Sequence, residues 1–254
     1  DYAEAYSNRG ITLKDLSRLD EALASYDRAI ALNPDYVYAY SNRGNALQNL
    51  KRLDEALASY DRAIALNPDY AEAYSNRGSI LQDLKRLDEA LLSYDRAMAL
   101  KEDIDFIFGI SLHTRMRLCI WENLSNDINK LTYRINNGEK VSSPFNVLTL
   151  IDDSLIHRRT SEIYVNEKYS QSNVLKTISI YRRHKKIRIG YFSGDFRNHP
   201  VSYLTAELYE THDRNKFEVY AFSYGPDVKD EMHFRIQNGV DHFQDIRDMS
   251  DKDA

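Results

Sequence analysis

Apolar residues in the first hundred positions follow a helical spacing that repeats every 34 residues. Residues 1–34, 35–68 and 69–102 align without a gap, and each unit holds two apolar-periodic stretches joined by a short polar segment. A 34-residue pair of helices is typical of tetratricopeptide (TPR) repeats. Small residues, such as Gly10 and Ala22, allow the two helices of a unit to approach closely. The pattern therefore predicts a TPR α-solenoid, whose units stack and leave a concave face.

The pattern weakens after residue 102, where a Lys-Glu pair replaces the Asn-Pro pair that ends the two earlier units. Helical spacing continues to Gly138, which follows two asparagines and predicts a helix C-cap. We interpret residues 103–138 as a degenerate fourth repeat that caps the array, so that the array spans residues 1–138. Within the cap, we expect Trp121 to lie in the core and Cys119 to be a buried apolar residue.

Residues 139–186 are interpreted as a helical linker, with one helix starting at Ser143 and a longer one over residues 153–168. Its basic run, residues 181–186, is expected to be a solvated face rather than a phosphate site. The apolar spacing then changes to that of strands. Strands are predicted over residues 187–192, 216–224 and 240–243, with helices over residues 201–210 and 230–237.

This alternation of strands and helices with short connections predicts a parallel, Rossmann-like sheet in residues 187–254. The expected fold is thus mainly α, with three clear repeats, a capping repeat, a helical linker and a partial α/β lobe. The chain begins at Asp1 inside the repeat pattern. We therefore expect it to be a piece of a longer protein.

Composition narrows the functional classes. The 254 residues carry 34 basic and 39 acidic side chains, a net charge of −5, so no basic footprint indicates nucleic-acid binding. No apolar run is long enough for a transmembrane helix, so no membrane partner is expected. A single cysteine cannot form an internal disulfide, which favours a reducing, cytoplasmic location. The oligomeric state stays open.

Three asparagines occur at one repeat position and are candidates for binding a partner in the groove. Asn8, Asn42 and Asn76 are expected on the concave face, beside Ser7 and Ser41, which we also expect to be exposed. An amide offers two donors and one acceptor, so such a row suits the backbone of an extended polypeptide. The alternative, that asparagine is simply a common solvated residue of TPR helices, stays open.

The loop after the first predicted strand carries candidate chemistry. Such loops lie at the carboxyl edge of a parallel sheet, where ligands bind. His199 lies in this loop, near Asp195 and at the start of the next helix. A histidine there is suited to act as an acid or base, or to bond a sugar or phosphate. The dinucleotide fingerprint of three spaced glycines is absent, so a dinucleotide cofactor is not expected.

The segment KIRIGYFSGDFRNHPVSYL, the strand KFEVYAFSY and the segment DHFQDI, placed after TPR repeats, resemble the O-GlcNAc transferase family in its bacterial form. That resemblance implies a TPR superhelix joined to a two-lobed glycosyltransferase of the GT-B type. Such enzymes transfer N-acetylglucosamine from UDP-GlcNAc to Ser or Thr hydroxyls without a metal. His199 matches the active-site histidine of the family, which serves as a base or as a positioning contact. One departure is Tyr203, where some members carry a second histidine.

The resemblance also implies that Asn8, Asn42 and Asn76 hold an acceptor polypeptide. The second lobe, which binds the uridine diphosphate in this family, is not expected within these residues. We therefore expect the chain alone to bind polypeptide, with no cofactor and without sugar transfer. Two alternatives are a transferase that works alone or with another chain, and a TPR adaptor carrying an unrelated small α/β domain.

Overall fold

The computed structural model describes residues 2–169 and 184–249. It falls into two compact units, Asp1–Ser170 and Gln171–Ala254. Our expected boundaries at residues 138 and 186 differ from this division and stay a prediction. Residues 181–183 of the basic run lie outside the described residues. In the described part of the chain, no helix is both long and apolar enough to cross a membrane.

The three repeats form six helices, as the 34-residue period predicts. They are α1 (Tyr2–Asp15), α2 (Leu19–Leu32), α3 (Val37–Asn49), α4 (Leu53–Leu66), α5 (Ala71–Asp83) and α6 (Leu87–Leu100). In each unit a glycine of the first helix lies beneath a buried tyrosine of the second. A Cβ atom on Gly44 would come within 2.7 Å of the Tyr60 ring. The glycine is required because the aromatic ring fills the space between the helices.

Adjacent repeats are joined by the arginines that follow Asn42 and Asn76. Arg43 donates to Ser59 of its own unit and to Asp27 of the preceding unit, both over 2.7 Å. Arg77 makes the equivalent bonds one repeat later. Ser111 takes this position in the fourth unit, and its hydroxyl lies 3.5 Å from Asp95. The register of 34 residues therefore continues into the cap, although the arginine is lost.

The cap consists of α7 (Ile107–Arg117) and α8 (Leu124–Asn136), followed by α9 (Pro144–Leu150) and α10 (Ser154–Lys168). Gly138 has φ +79°, which confirms the predicted C-cap of α8. A second core joins all four helices through Leu112, Leu131, Ile135, Val147 and Ile156. The two helices predicted as a linker are therefore packed onto the capping pair.

Two core predictions in the cap are wrong. Trp121 is 54% exposed, and Cys119 is exposed with φ +58°. Helical spacing was assumed to continue through both residues, but α7 ends at Arg117 and they lie in the turn before α8. The turn is held by Arg115, whose guanidinium bonds Asp127 of α8 over 2.8 Å. A residue in such a turn has no second helix to cover it.

Among the described residues of the second unit, three strands form a parallel sheet, as predicted. The unit contains β1 (Ile187–Ser193), α11 (Pro200–Thr211), β2 (Phe217–Ser223), α12 (Glu231–Asn238) and β3 (His242–Asp245), with strand order β1-β2-β3. Its core includes Phe196, Tyr209, Ala221 and Ile236, contributed by the first loop, both helices and β2. In register, Ser193 pairs with Ser223, and Ser223 with Asp245. The carboxyl ends of the three strands thus form one edge.

Candidate functional site

The three candidate asparagines lie at equivalent positions of α1, α3 and α5. Asn8 is exposed, and Asn42 and Asn76 are half-buried. Among the described residues, the side chains of Asn8 and Asn42 have no hydrogen-bond partner, whereas Asn76 Nδ2 donates to Asn45 Oδ1 over 3.4 Å. In the fourth unit the position is Ile110, which packs against the core of the array. The row of amides therefore ends with the third repeat.

Two serines that we expected on the concave face are buried. Ser7 and Ser41 are 1% and 2% exposed. The Ser41 hydroxyl lies against that of Tyr70, which belongs to the next repeat. Stacking of one repeat on the next removes this position from the groove, and an isolated repeat pattern does not show that.

A tyrosine hydroxyl network connects the groove to the core. Asn45 Oδ1, which accepts the bond from Asn76, also accepts one from Tyr60 over 2.7 Å. In the first repeat the position of Asn45 is taken by Ile11, which offers no acceptor. The hydroxyl of Tyr26, the counterpart of Tyr60, is consequently buried without a partner among the described residues. Burial raises the pKa of Tyr26 to about 12.

The third repeat borders a concavity of about 470 Å³, lined by Glu72, Asn76, Lys101, Asp103 and neighbouring residues. Lys101 Nζ bonds Glu72 over 2.7 Å and lowers the pKa of that carboxyl. Lys101 interrupts the repeat pattern, but its position in the sequence does not place it in the groove. The end of the groove is therefore charged, and Glu72 is already paired there with Lys101.

In the second unit, His199 caps the N-terminus of α11 at the carboxyl edge of the sheet. Its Nδ1 lies 3.3 Å from the Val201 amide nitrogen, which donates to it, and 3.6 Å from Asp195 Oδ2. About a third of each side chain, His199 and Asp195, is exposed. The structure thus brings together the two residues that the sequence singled out in this loop.

One ring nitrogen cannot serve both neighbours at once. When Nδ1 accepts the Val201 N–H, the neutral ring carries its proton on Nε2 and donates a hydrogen bond outward. When Nδ1 is protonated toward Asp195, Nε2 becomes an acceptor and can take up a proton. The site of His199 is therefore compatible with either a donor or a base: the bond from the Val201 N–H favours the donor, and Asp195, at 3.6 Å, favours the base.

The loop that carries His199 is held from α12, by residues that sequence analysis missed. Asp230 accepts from the Asn198 amide over 2.7 Å and from the His233 amide over 3.0 Å. The first of these bonds is the largest cause of a lowered pKa of Asp230. His233 Nδ1 lies 3.2 Å from the Phe196 carbonyl oxygen, and the Phe196 ring is buried. Asp230 was recognisable as a helix cap, but its bond to the loop was not.

Tyr203, the departure from the family pattern, lies one turn into α11. Its hydroxyl donates to Asn198 Oδ1 over 3.2 Å, and its side chain is 60% exposed. The tyrosine supports the loop beside His199.

No cluster of metal-ligating side chains occurs within the part of the chain that the structure describes.

Known families match two parts of the chain. Residues 161–254 match glycosyl transferase family 41, and tetratricopeptide repeat families match residues 12–51, 37–70 and 59–91. The lobe is therefore not an unrelated α/β domain, and that alternative is not retained.

Two similar relatives are peptide N-acetylglucosaminyltransferases that use UDP-N-acetylglucosamine by name. One, a probable enzyme from Arabidopsis thaliana, is 39% identical over 66 residues, covering 26% of this chain and 7% of its own length. The other, from Caenorhabditis elegans, is 42% identical over 64 residues, covering 24% of this chain and 5% of its own length. The matched part of this chain thus spans a small fraction of either relative.

A solved structure, a mutant O-GlcNAc transferase of Thermobaculum terrenum, aligns with 98% of this chain and 42% of its own. The identity is 19% and the TM-score 0.47. The family matches confirm the resemblance to O-GlcNAc transferases. The chain joins tetratricopeptide repeats to a segment, residues 161–254, that matches glycosyl transferase family 41.

Proposed function

We propose that this chain is the acceptor-binding array and first catalytic lobe of a protein O-GlcNAc transferase. The observation that carries the proposal is the presence, in one chain, of TPR repeats and a family 41 segment. In this proposal the repeats bind an extended polypeptide, and the lobe provides one side of the site for transfer from UDP-GlcNAc to Ser or Thr. The proposed location is the cytoplasm, which the single cysteine among 254 residues supports.

Polypeptide binding is assigned to the row Asn8, Asn42 and Asn76. The first two amides are free to bond a backbone, since no described residue engages them. Asn76 must exchange its long bond to Asn45, at 3.4 Å, for one to the ligand. Amides that contact only the backbone of a ligand give weak sequence preference.

Replacing all three asparagines by alanine tests this role. We expect the free energy of binding to Ser/Thr-rich peptides, measured by fluorescence anisotropy, to weaken by about 1–3 kcal/mol, because Asn8 and Asn42 each gain a hydrogen bond of about 0.5–1.5 kcal/mol and Asn76 only exchanges one. Asn126→Ala is the matched control, since this exposed asparagine lies on α8. Unchanged affinity of the triple variant would refute the assignment.

His199 is assigned to the transfer step. The acceptor oxygen forms a bond to the anomeric carbon, the bond from that carbon to the phosphate oxygen breaks, and UDP leaves with the electron pair. As a base, His199 Nε2 takes the hydroxyl proton, a contribution of about 10²–10⁴-fold. As a donor, Nε2 instead bonds an oxygen of the bound substrates, and the hydroxyl proton passes to the departing phosphate oxygen of UDP. We propose that no metal takes part, so that EDTA leaves turnover unchanged.

The two roles of His199, base and donor, can be distinguished by the turnover of variants of the longer protein that includes the second lobe. His199→Ala is expected to lower kcat strongly and to leave the Kd for peptide unchanged, because the residue lies in the lobe. Asp195→Asn is expected to lower kcat if His199 is a base, and to have little effect if it is a donor. If His199→Ala retained full turnover, the assignment would be wrong.

Calorimetry on the 254-residue chain tests where the donor binds. We assign the uridine diphosphate to the second lobe. The Kd of UDP for this chain is therefore expected to exceed about 100 μM, which corresponds to a binding free energy weaker than about −5.5 kcal/mol. Tighter binding would place a donor site within these residues.

A further inference from the structure

The second repeat differs from its neighbours at one position of the groove. Tyr38 takes the place of Glu4 in the first repeat and Glu72 in the third. It precedes Asn42 by four residues on α3, so both side chains share a helix face. The Tyr38 side chain is 58% exposed. An aromatic ring therefore interrupts a line of acids directly beside the amide row.

The ring of Tyr38 is held by two other tyrosines. It meets Tyr36 edge-on at 6.2 Å between ring centroids and Tyr70, from the next repeat, at 5.5 Å. Tyr70 is half-buried and lies against Ser41. Edge-to-face contacts restrict the ring without covering it. Tyr38 is thus a fixed and accessible aromatic surface.

Charges around this cluster are already balanced within the chain. Glu72 is bonded to Lys101 over 2.7 Å. The acids that precede Tyr36 and Tyr70 in the sequence, Asp35 and Asp69, lie 3.9 and 3.5 Å from arginines of helix α4 and helix α6. A Lys or Arg side chain of a ligand would therefore share these carboxylates with the cations of the chain. A neutral ring needs no such charge partner.

We propose that the groove selects polypeptides with proline, whose ring packs on Tyr38 while Asn42 bonds the neighbouring backbone. This inference rests on the proposed polypeptide binding and specifies its ligand. Proline holds the chain extended, as the amide row requires, and less conformational entropy is lost on binding. It also lacks an N–H that would lie unpaired against the aromatic surface. Aromatic-lined grooves generally accept such segments.

Fluorescence anisotropy with three matched peptides tests the proposal. They share a Ser/Thr-rich sequence and carry Pro, Ala or Lys at every third position, so that one of these residues reaches Tyr38 in any register. The chain is expected to bind the Pro peptide about three- to tenfold more tightly than the Ala peptide, the factor that a good aromatic contact provides. The Lys peptide is expected to show no such gain.

The decisive variant is Tyr38→Glu, which installs the residue of the neighbouring repeats. It is expected to lower the Pro-to-Ala affinity ratio about threefold, because the ring contact is lost and only the gain from the extended proline backbone remains, whereas Tyr38→Phe keeps the ratio. Tyr133→Glu, at a tyrosine of α8 that is 67% exposed, is the control and is expected to keep the ratio.

Circular dichroism confirms that each variant is folded. A ratio near one in the unmodified chain, a ratio unaffected by Tyr38→Glu, or a larger gain for Lys would each overturn this inference alone. Failure to bind any peptide would instead overturn the proposed function.

Discussion

The repeat array and the α/β lobe are stabilised by contacts of different kinds. In the array, one arginine of each repeat bonds a serine 16 residues away, and the three equivalent arginines are Arg9, Arg43 and Arg77. In the lobe, the loop that carries His199 is held by single contacts that span 32 residues, from Asp230, and 37 residues, from His233. The array therefore distributes its stability over copies of one unit, whereas the lobe depends on contacts that occur once.

Because of this difference, functional residues are recognised in different ways in the two units. Where repeats are nearly identical, the informative residues are those that depart from the pattern. Tyr38 replaces an acid, Lys101 ends the Asn-Pro series, and Ile11 removes the acceptor of a buried hydroxyl. In the lobe the informative residues are those that fix a single loop, since no second copy provides a comparison.

The largest expected effect is the loss of stability when one glycine in each unit is replaced by alanine. A Cβ atom on Gly225 would overlap the Gly194 carbonyl oxygen, which is backbone. We expect Gly225→Ala to destabilise the lobe by about 3 kcal/mol or more, and Gly44→Ala, which meets the Tyr60 ring, to destabilise the array by about 1–3 kcal/mol. Hydrogen exchange read by mass spectrometry reports each unit separately.

Gly190→Ala is the control for this pair. Its Cβ atom would meet the Phe222 ring at 3.2 Å and the Phe192 ring at 3.4 Å, and both contacts are with side-chain atoms that can move aside. We expect a change in unfolding free energy below about 1 kcal/mol. Equal protection of the lobe in Gly225→Ala and Gly190→Ala would show that the close approach of the two loops is not required.

A smaller effect is expected when the buried tyrosine hydroxyl is removed from each of two repeats. Tyr60→Phe removes the bond to Asn45 and is expected to lower the free energy of unfolding by about 0.5–1.5 kcal/mol in urea denaturation. Tyr26→Phe removes a buried hydroxyl without a partner, and is expected to be neutral or stabilising. If both substitutions cost the same, the hydroxyl network would not distinguish the repeats.

The smallest effect is confined to the His199 loop and depends on pH. The Asn198 amide lowers the pKa of Asp230 in the folded state. The stability that this carboxylate contributes is therefore present above its unfolded pKa and is lost as pH falls through the folded pKa. In an NMR titration from neutral to acid pH, the Asn198 and His233 amide shifts should move together, with a midpoint below the ordinary Asp value of about 3.9.

Asp230→Asn should accelerate exchange of the Asn198 amide at neutral pH, because the charged acceptor is lost. Asp227→Asn, a nearby exposed acid whose carboxylate lies 3.8 Å from Arg247, is the control and should leave that amide unchanged. Similar behaviour of the two variants would mean that Asp230 does not hold the loop.

The sequence alone was enough to predict local and periodic features of the fold. The 34-residue period predicted the six repeat helices and the alignment of Asn8, Asn42 and Asn76, because each repeat carries the whole contact pattern within itself. Alternating strands and helices predicted the parallel sheet and placed His199 at its carboxyl edge. These features depend on spacing along the chain, which the sequence contains directly.

Which of those positions are exposed to solvent, and which contacts hold them in place, depends on the tertiary structure. Ser41 is buried because the next repeat covers it, and Trp121 is exposed because the turn that carries it has no covering helix. The contact of Tyr38 with Tyr70 and the bond from Asp230 to the loop of His199 join segments that are distant in sequence. Such pairings depend on how packed elements meet, and spacing along one element does not contain that information.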